Sequence, residues 1–132
     1  MSRKLVVLSG ILAITLPGLW GQAGAHHSLA AEFNVDKTME ITGTITEMRW
    51  TNPHAWLYVD VKDENGNVQN WAIEFGTPNQ LYRRGWSKND LPAGATVTIV
   101  GYAPRDNSQR LSATDVTLPD GRRLFAGTRR EE

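Results

Sequence analysis

The chain reads as an all-β protein: a small OB-like barrel of five to six strands with one short helix between strands 3 and 4. Three observations predict it. Short β-branched segments recur with turn residues between them. Several of them alternate apolar and polar side chains, as a strand with one buried face must. A single capped helical stretch follows the third strand, the arrangement of a five-stranded, partly open Greek-key barrel. A simple β-sandwich is the alternative that the same spacing allows.

Taking the elements in order, residues 38 to 50, "TMEITGTITEMRW", form the first strand. Ile41, Gly43 and Ile45 share one face, whereas Met48 and Trp50 have the opposite parity. A bulge or a sharp bend near Thr46 and Glu47 would reconcile them, since one extra residue swaps the faces, and Gly43 would ease the curvature of a closing barrel. In "HAWLYVDVKD", residues 54 to 63, Ala55, Leu57, Val59 and Val61 point to the core and His54, Trp56, Tyr58 and Asp60 point away. The third strand, "VQNWAIEF", has Gln69, Trp71, Ile73 and Phe75 on its more apolar face. Leu57 and Val59 share a core with those residues only if paired residue numbers sum to an even total near 130, which a two-residue turn cannot provide. The loop is therefore Glu64, Asn65 and Gly66, with Gly66 left-handed beside a bulge.

"GTPNQLYRRGW" supplies a two-turn helix: Thr77 as N-cap, Pro78 at the first helical position, Gln80 completing a capping box and Gly85 as the stop. Residues 95 to 102 and 110 to 118 are strands separated by a polar loop, and "PDG" turns the chain into a short last strand, "RRLFA". The barrel domain spans 38 to 127, after an extension of residues 26 to 37, and a charged tail occupies 128 to 132.

The first 25 residues have another character. Arg3 and Lys4 precede an apolar run from Leu5 to Leu19 that ends at Pro17 and Gly18, followed by Ala23, Gly24 and Ala25. This is the pattern of a cleaved secretory signal rather than a membrane span, and it implies a periplasmic or secreted product with no later transmembrane segment. Cleavage after Ala25 leaves 107 of the 132 residues, enough for one small core. Loss of Arg3 and Lys4 leaves 12 basic against 14 acidic side chains, a balance that argues against a nucleic-acid binder. The chain has no cysteine, so no disulfide staples the fold and no thiolate is available for metal binding or catalysis.

Cleavage after Ala25 would make His26 the first residue. Its α-amine and imidazole can then chelate one metal ion, and nitrogen donors in a flat arrangement suit Cu(II). Cleavage after Ala23 would instead leave Gly24-Ala25-His26, whose amine, two amides and third-residue imidazole form another square-planar copper or nickel site. His27 and His54 are the other imidazoles. The metal candidates are therefore His26, His27 and His54, with copper as the cofactor. The competing reading is a polar, cleavable tail with no metal function.

On the outer face of the second strand, His54, Trp56 and Tyr58 could stack a flat ligand. Leu29 and Phe33 of the N-terminal segment are the expected covers if the rings are instead buried. Trp56, Tyr58 and Glu74 are the ligand-binding candidates, for an unidentified protein or small molecule. Glu74 and Asp60 on that face could form a carboxylate pair, and Arg83, Arg84 and Lys88 could meet an anion, although such groups more often serve as surface partners. There is no nucleophile elbow, phosphate loop or HExxH motif, and nothing argues for an enzyme.

The start "AHHS" after a signal peptide, together with "AEF", "TGTITEMRWTNPHAWLYVDVKDENG", "NWAIEFGTPNQLYRRGW" and "VTLPDGRRLFAG", closely resembles a family of small exported Gram-negative bacterial proteins of unknown function. The likeness covers nearly all of the mature chain. It implies a secreted single-domain β-barrel without assigning an activity, and it includes "HHS" and "NPH" in the family pattern, which makes His26, His27 and His54 the residues to carry over.

Overall fold

Strand β1 (Phe33–Arg49) organises the molecule because it belongs to two ladders. Its first part runs antiparallel to β4 (Thr96–Pro104), from Phe33 opposite Pro104 to Thr44 opposite Thr96. Its last part runs antiparallel to β2 (Trp56–Lys62), from Thr44 opposite Asp60 to Arg49 opposite Trp56. Thr44 is shared by the two ladders. Gly43 permits the close approach of β2: a Cβ at this position would lie 2.7 Å from the carbonyl oxygen of Asp60. The structure, a computed structural model, describes residues 29–127.

The expected bulge is present. The register passes from Ile45 opposite Val59 to Glu47 opposite Tyr58, leaving Thr46 as the extra residue, and the Thr46 hydroxyl donates to the carbonyl oxygen of Tyr58 at 3.2 Å. Ile45 is buried and, past the bulge, Met48 and Trp50 pack against the same core despite their opposite parity. β1 begins at Phe33 rather than at residue 38. The segment between Asn34 and Thr38 breaks the β4 register, and its polar residues hide in the sequence a strand that pairs on both sides of the break.

β2 and β3 (Val68–Glu74) form the anticipated hairpin, with Val59 opposite Trp71 and Leu57 opposite Ile73. Gly66 has φ 80° in the three-residue loop, and the Asp63 carboxylate accepts from the amides of Asn65 and Asn67, both at 2.9 Å. The register runs unbroken from Trp56 opposite Glu74 to Lys62 opposite Val68.

A four-residue helical turn, α1 (Leu29–Glu32), precedes β1, and α2 (Pro78–Arg83) lies between β3 and β4. The Thr77 hydroxyl caps α2 by accepting from the amide of Gln80 at 3.3 Å. The capping box is only half formed. The Gln80 side-chain oxygen turns towards Gly76 and stays buried without a hydrogen-bond partner.

Closure comes from β5 (Arg110–Thr117). It runs antiparallel to β4 on one edge and parallel to β3 on the other, with Ala72 opposite Arg110 and Glu74 opposite Ser112. β6 (Arg123–Phe125) continues along that second edge, pairing with Asp115 to Thr117, and the amide of Gly76 donates to Ala126 at the junction. The result is an all-β, OB-like barrel of six strands with one short helix between β3 and β4. Its core holds Ile45, Leu57, Val59, Ile73, Phe75, Leu81, Ile99, Leu111 and Val116, all essentially inaccessible to solvent. Among the described residues, no helix is long and apolar enough to cross a membrane.

Candidate functional site

The alternation of β2 turns His54, Trp56, Tyr58 and Asp60 away from the core that Ala55, Leu57 and Val59 enter. The β2–β3 register sets Glu74 opposite Trp56, Ala72 opposite Tyr58 and Asn70 opposite Asp60.

His54 is held firmly for a residue just outside a strand. Ala55 exchanges backbone hydrogen bonds with Phe75 and Gly76 (2.9 and 3.0 Å), and the Thr51 hydroxyl donates to the His54 carbonyl at 3.1 Å. The preceding Asn52–Pro53 peptide bond is cis. The His54 Nδ1 lies 2.8 Å from the carbonyl oxygen of Phe75. A carbonyl oxygen only accepts, so Nδ1 carries the proton and, in the neutral ring, Nε2 keeps its lone pair. Glu74 Oε1 stands 3.6 Å from the same Nδ1, beyond hydrogen-bond length. The side chains of His54 and Glu74 are 32% and 18% exposed, so the imidazole can be reached from solvent. A backbone carbonyl thus fixes both the orientation and the tautomer of the His54 ring.

The two aromatic rings have cationic covers. The Arg49 guanidinium lies 5.0 Å from the centre of the Tyr58 ring, and Arg110 lies 5.9 Å from that of Trp56. Arg110 also lies 5.4 Å from the Phe33 ring and donates to the Glu32 carboxylate at 3.1 Å. Phe33 is buried, and the Arg110 guanidinium lies near both its ring and that of Trp56. The cation over Tyr58 is Arg49, from the end of β1; Leu29, the other expected cover, is half-buried in α1. Arg49 also forks onto Glu47 at 2.7 and 3.1 Å. That hydrogen bond holds the Glu47 carboxyl below its usual range and raises the affinity of Arg49 for its proton.

Other candidates do not converge. Asp60 and Glu74 share a face but are separated by four residues of strand, about 13 Å, and Asp60 instead accepts from Asn70 at 2.9 Å. They are not a carboxylate pair. Arg84 turns inward, lying 4.6 Å from the Phe125 ring and donating to the carbonyl of Gly127, so it does not join Arg83 and Lys88 in an anion site. An open groove of about 520 Å³ lies beside the middle of β1, between Thr42, Thr44, Asp60, Lys62, Val68 and Thr96, and includes none of the aromatic residues.

His26 and His27 lie outside the described residues. Among the described residues, no three histidine, aspartate or glutamate side chains come together as a metal site; His54 and Glu74 form a pair. The sequence reading missed Arg110, Arg49 and Glu32. The charge of each is visible in the chain, but no local spacing marks a cation that stacks on rings from other strands.

Comparison with known proteins adds the following. The crystal structure of Rim1, a mitochondrial single-stranded DNA binding protein from S. cerevisiae, is similar with a TM-score of 0.49 at 18% sequence identity, over 63% of this chain and 93% of that one. Among curated protein sequences, none matches significantly. The profile of a family of unknown function, DUF6152, matches residues 15–112, most of the chain, and the protein belongs to that family.

Proposed function

We propose that the protein is an exported, periplasmic metal-binding module that takes copper at its processed amino terminus. Cleavage after Ala25 supplies the α-amine and imidazole of His26, while His27 and His54 add further nitrogen donors. The observation that carries this reading is the state of His54: Nδ1 donates to the Phe75 carbonyl with Glu74 beside it, which fixes the neutral tautomer whose lone pair is on Nε2. Chain length supports it as well. His27 and His26 precede Leu29 by two and three positions, a tether of no more than about 10 Å. Leu29 in turn begins the turn that leads into Glu32 and Phe33, beside the Arg110 that covers Trp56.

The test uses untagged protein recovered after export. Mass spectrometry of its first residue should report His26 or Gly24. Titration with Cu(II), followed by paramagnetic resonance, should show a site with nitrogen donors. His26→Ala and His54→Ala should each weaken binding about tenfold or more, corresponding to about 1.4 kcal/mol. Unchanged affinity in both variants rejects the proposal. Loss of a captured partner on Trp56→Ala, with copper affinity untouched, would favour a ligand-binding barrel working through the aromatic face.

A further inference from the structure

We infer that Arg110 anchors a binding site for a small aromatic carboxylate, and that the chain's own Glu32 fills the anion position of that site in this structure. The site is separate from the copper reading: it lies wholly within the described residues and uses no histidine. The β2–β3 and β3–β5 registers set Tyr58, Ala72 and Arg110 side by side on the outer face, one from each strand. Neighbouring strands are about 4.8 Å apart, so the backbones of Tyr58 and Arg110 stand about 10 Å from each other with a single methyl side chain between them. That row can seat one flat ring on Ala72. Tyr58 is steadied by Arg49, 5.0 Å from its ring centre.

The Arg110 guanidinium is oriented by its neighbours while staying within reach of solvent. It lies 5.4 Å from the Phe33 ring and 5.9 Å from the Trp56 ring, and its side chain is 36% exposed. Among the described residues, Glu32 is its hydrogen-bond acceptor, through one oxygen at 3.1 Å. A guanidinium carries five N–H donors in a planar fork that matches both oxygens of a carboxylate. The compact ammonium of lysine offers no such fork and does not stack on rings in the same way. A carboxylate joined to a flat apolar group is therefore the chemistry that this row recognises.

Glu32 can give way without disturbing the fold. Arg105 fastens the backbone of α1 by itself, donating its Nε to the carbonyl of Ala30 at 2.7 Å and its amide to that of Glu32 at 3.0 Å. None of the four residues of α1 is buried, so the Glu32 side chain leaves Arg110 by rotating while its backbone stays in place. An ion pair as exposed as Arg110–Glu32 is weak in water, and an incoming carboxylate has only a small competitor to displace. The other acids of this face are engaged elsewhere: Glu74 stands beside His54, and Glu47 is forked by Arg49.

The experiment uses the exported, processed protein with benzoate as the probe and a chelator present, so that no metal takes part and the copper titration is tested separately. Nuclear magnetic resonance follows the Arg110 side-chain N–H and the Trp56 indole N–H. Both should shift and saturate with benzoate, and neither should respond to benzamide, its uncharged isostere. Glu32→Gln should tighten benzoate by about threefold to fivefold, a gain that loss of folding cannot mimic. Arg110→Lys keeps the charge without the fork and should weaken binding about tenfold. Ala72→Leu fills the seat of the ring and should abolish binding, with the core amides of Val97 and Ile99 left unshifted. Absence of any benzoate shift in both the wild type and Glu32→Gln overturns the site. Benzamide binding as tightly as benzoate, or affinity unchanged by Arg110→Lys, overturns carboxylate recognition by Arg110. Affinity unchanged by Glu32→Gln overturns Glu32 as the resident anion, and affinity unchanged by Ala72→Leu overturns the seat of the ring.

Discussion

The indole nitrogen of Trp86 donates to the carbonyl oxygen of Phe125 at 3.0 Å, tying the segment after α2 to the last strand. Trp86 is 4% exposed, and its ring packs 5.7 Å from that of Phe75. Trp86→Phe keeps most of the apolar volume and removes the donor. The expected cost is about 1–2 kcal/mol, because the Phe125 carbonyl loses a half-buried partner. Urea unfolding measures it, and a midpoint equal to that of the wild type would show that β6 is held without this bond.

Two glycines should respond differently to the same substitution. A Cβ on Gly101 would sit 2.3 Å from the carbonyl oxygen of Ser112, a backbone atom that cannot move without opening the β4–β5 ladder. Gly66 has open space around it and only a positive φ, +80°. Gly101→Ala should therefore cost more than about 3 kcal/mol or prevent folding, and Gly66→Ala about 1–2 kcal/mol. Comparison of the two denaturation midpoints decides the order.

The half-formed cap of α2 separates two neighbouring side chains. Thr77→Ala removes the acceptor for the Gln80 amide and should cost about 1 kcal/mol. Gln80→Met removes a buried oxygen that has no partner, and should be neutral or stabilising. A clear loss on Gln80→Met would mean that the carboxamide does reach back to the cap in solution.

Acid should loosen the turn before β6. The Arg122 amide and then its guanidinium bond to Asp120, at 3.0 and 2.7 Å, and hold that carboxyl below its ordinary 3.8. A lowered folded-state pKa gives stability that is present above 3.8 and lost as pH falls through the lower folded value. Carboxyl titration followed by nuclear magnetic resonance should place the Asp120 midpoint under 3.8, and Arg122→Ala should move it upwards. A wild-type midpoint at the ordinary value would refute the contact.

The strands were legible wherever a single rule governed them. Parity alone placed Leu57 and Val59 in the core with Ile73, set the length of the loop at Gly66 and located the bulge at Thr46. The parallel pairing of β3 with β5 left no local trace, because it joins Ala72 to Arg110 across the helix and β4. The surroundings of His54 were half legible. Its outward face follows from the alternation of β2, but the Phe75 carbonyl that orients its ring lies on the next strand and is a backbone atom with no residue signature. Arg110 escaped for a similar reason: at the head of a strand it reads as a solvated charge, and its aromatic partners come from β1 and β2.

The contact between β3 and β5 also makes folding depend on distant parts of the chain. Before β5 is in place, the first three strands can form only an open meander, with the apolar side of Ile73 and Leu57 facing water. Closure must bring Ala72 to Arg110 across the whole of α2 and β4, so loop entropy opposes it until the last contacts form, and the barrel should fold more slowly than a sheet joined by hairpins alone.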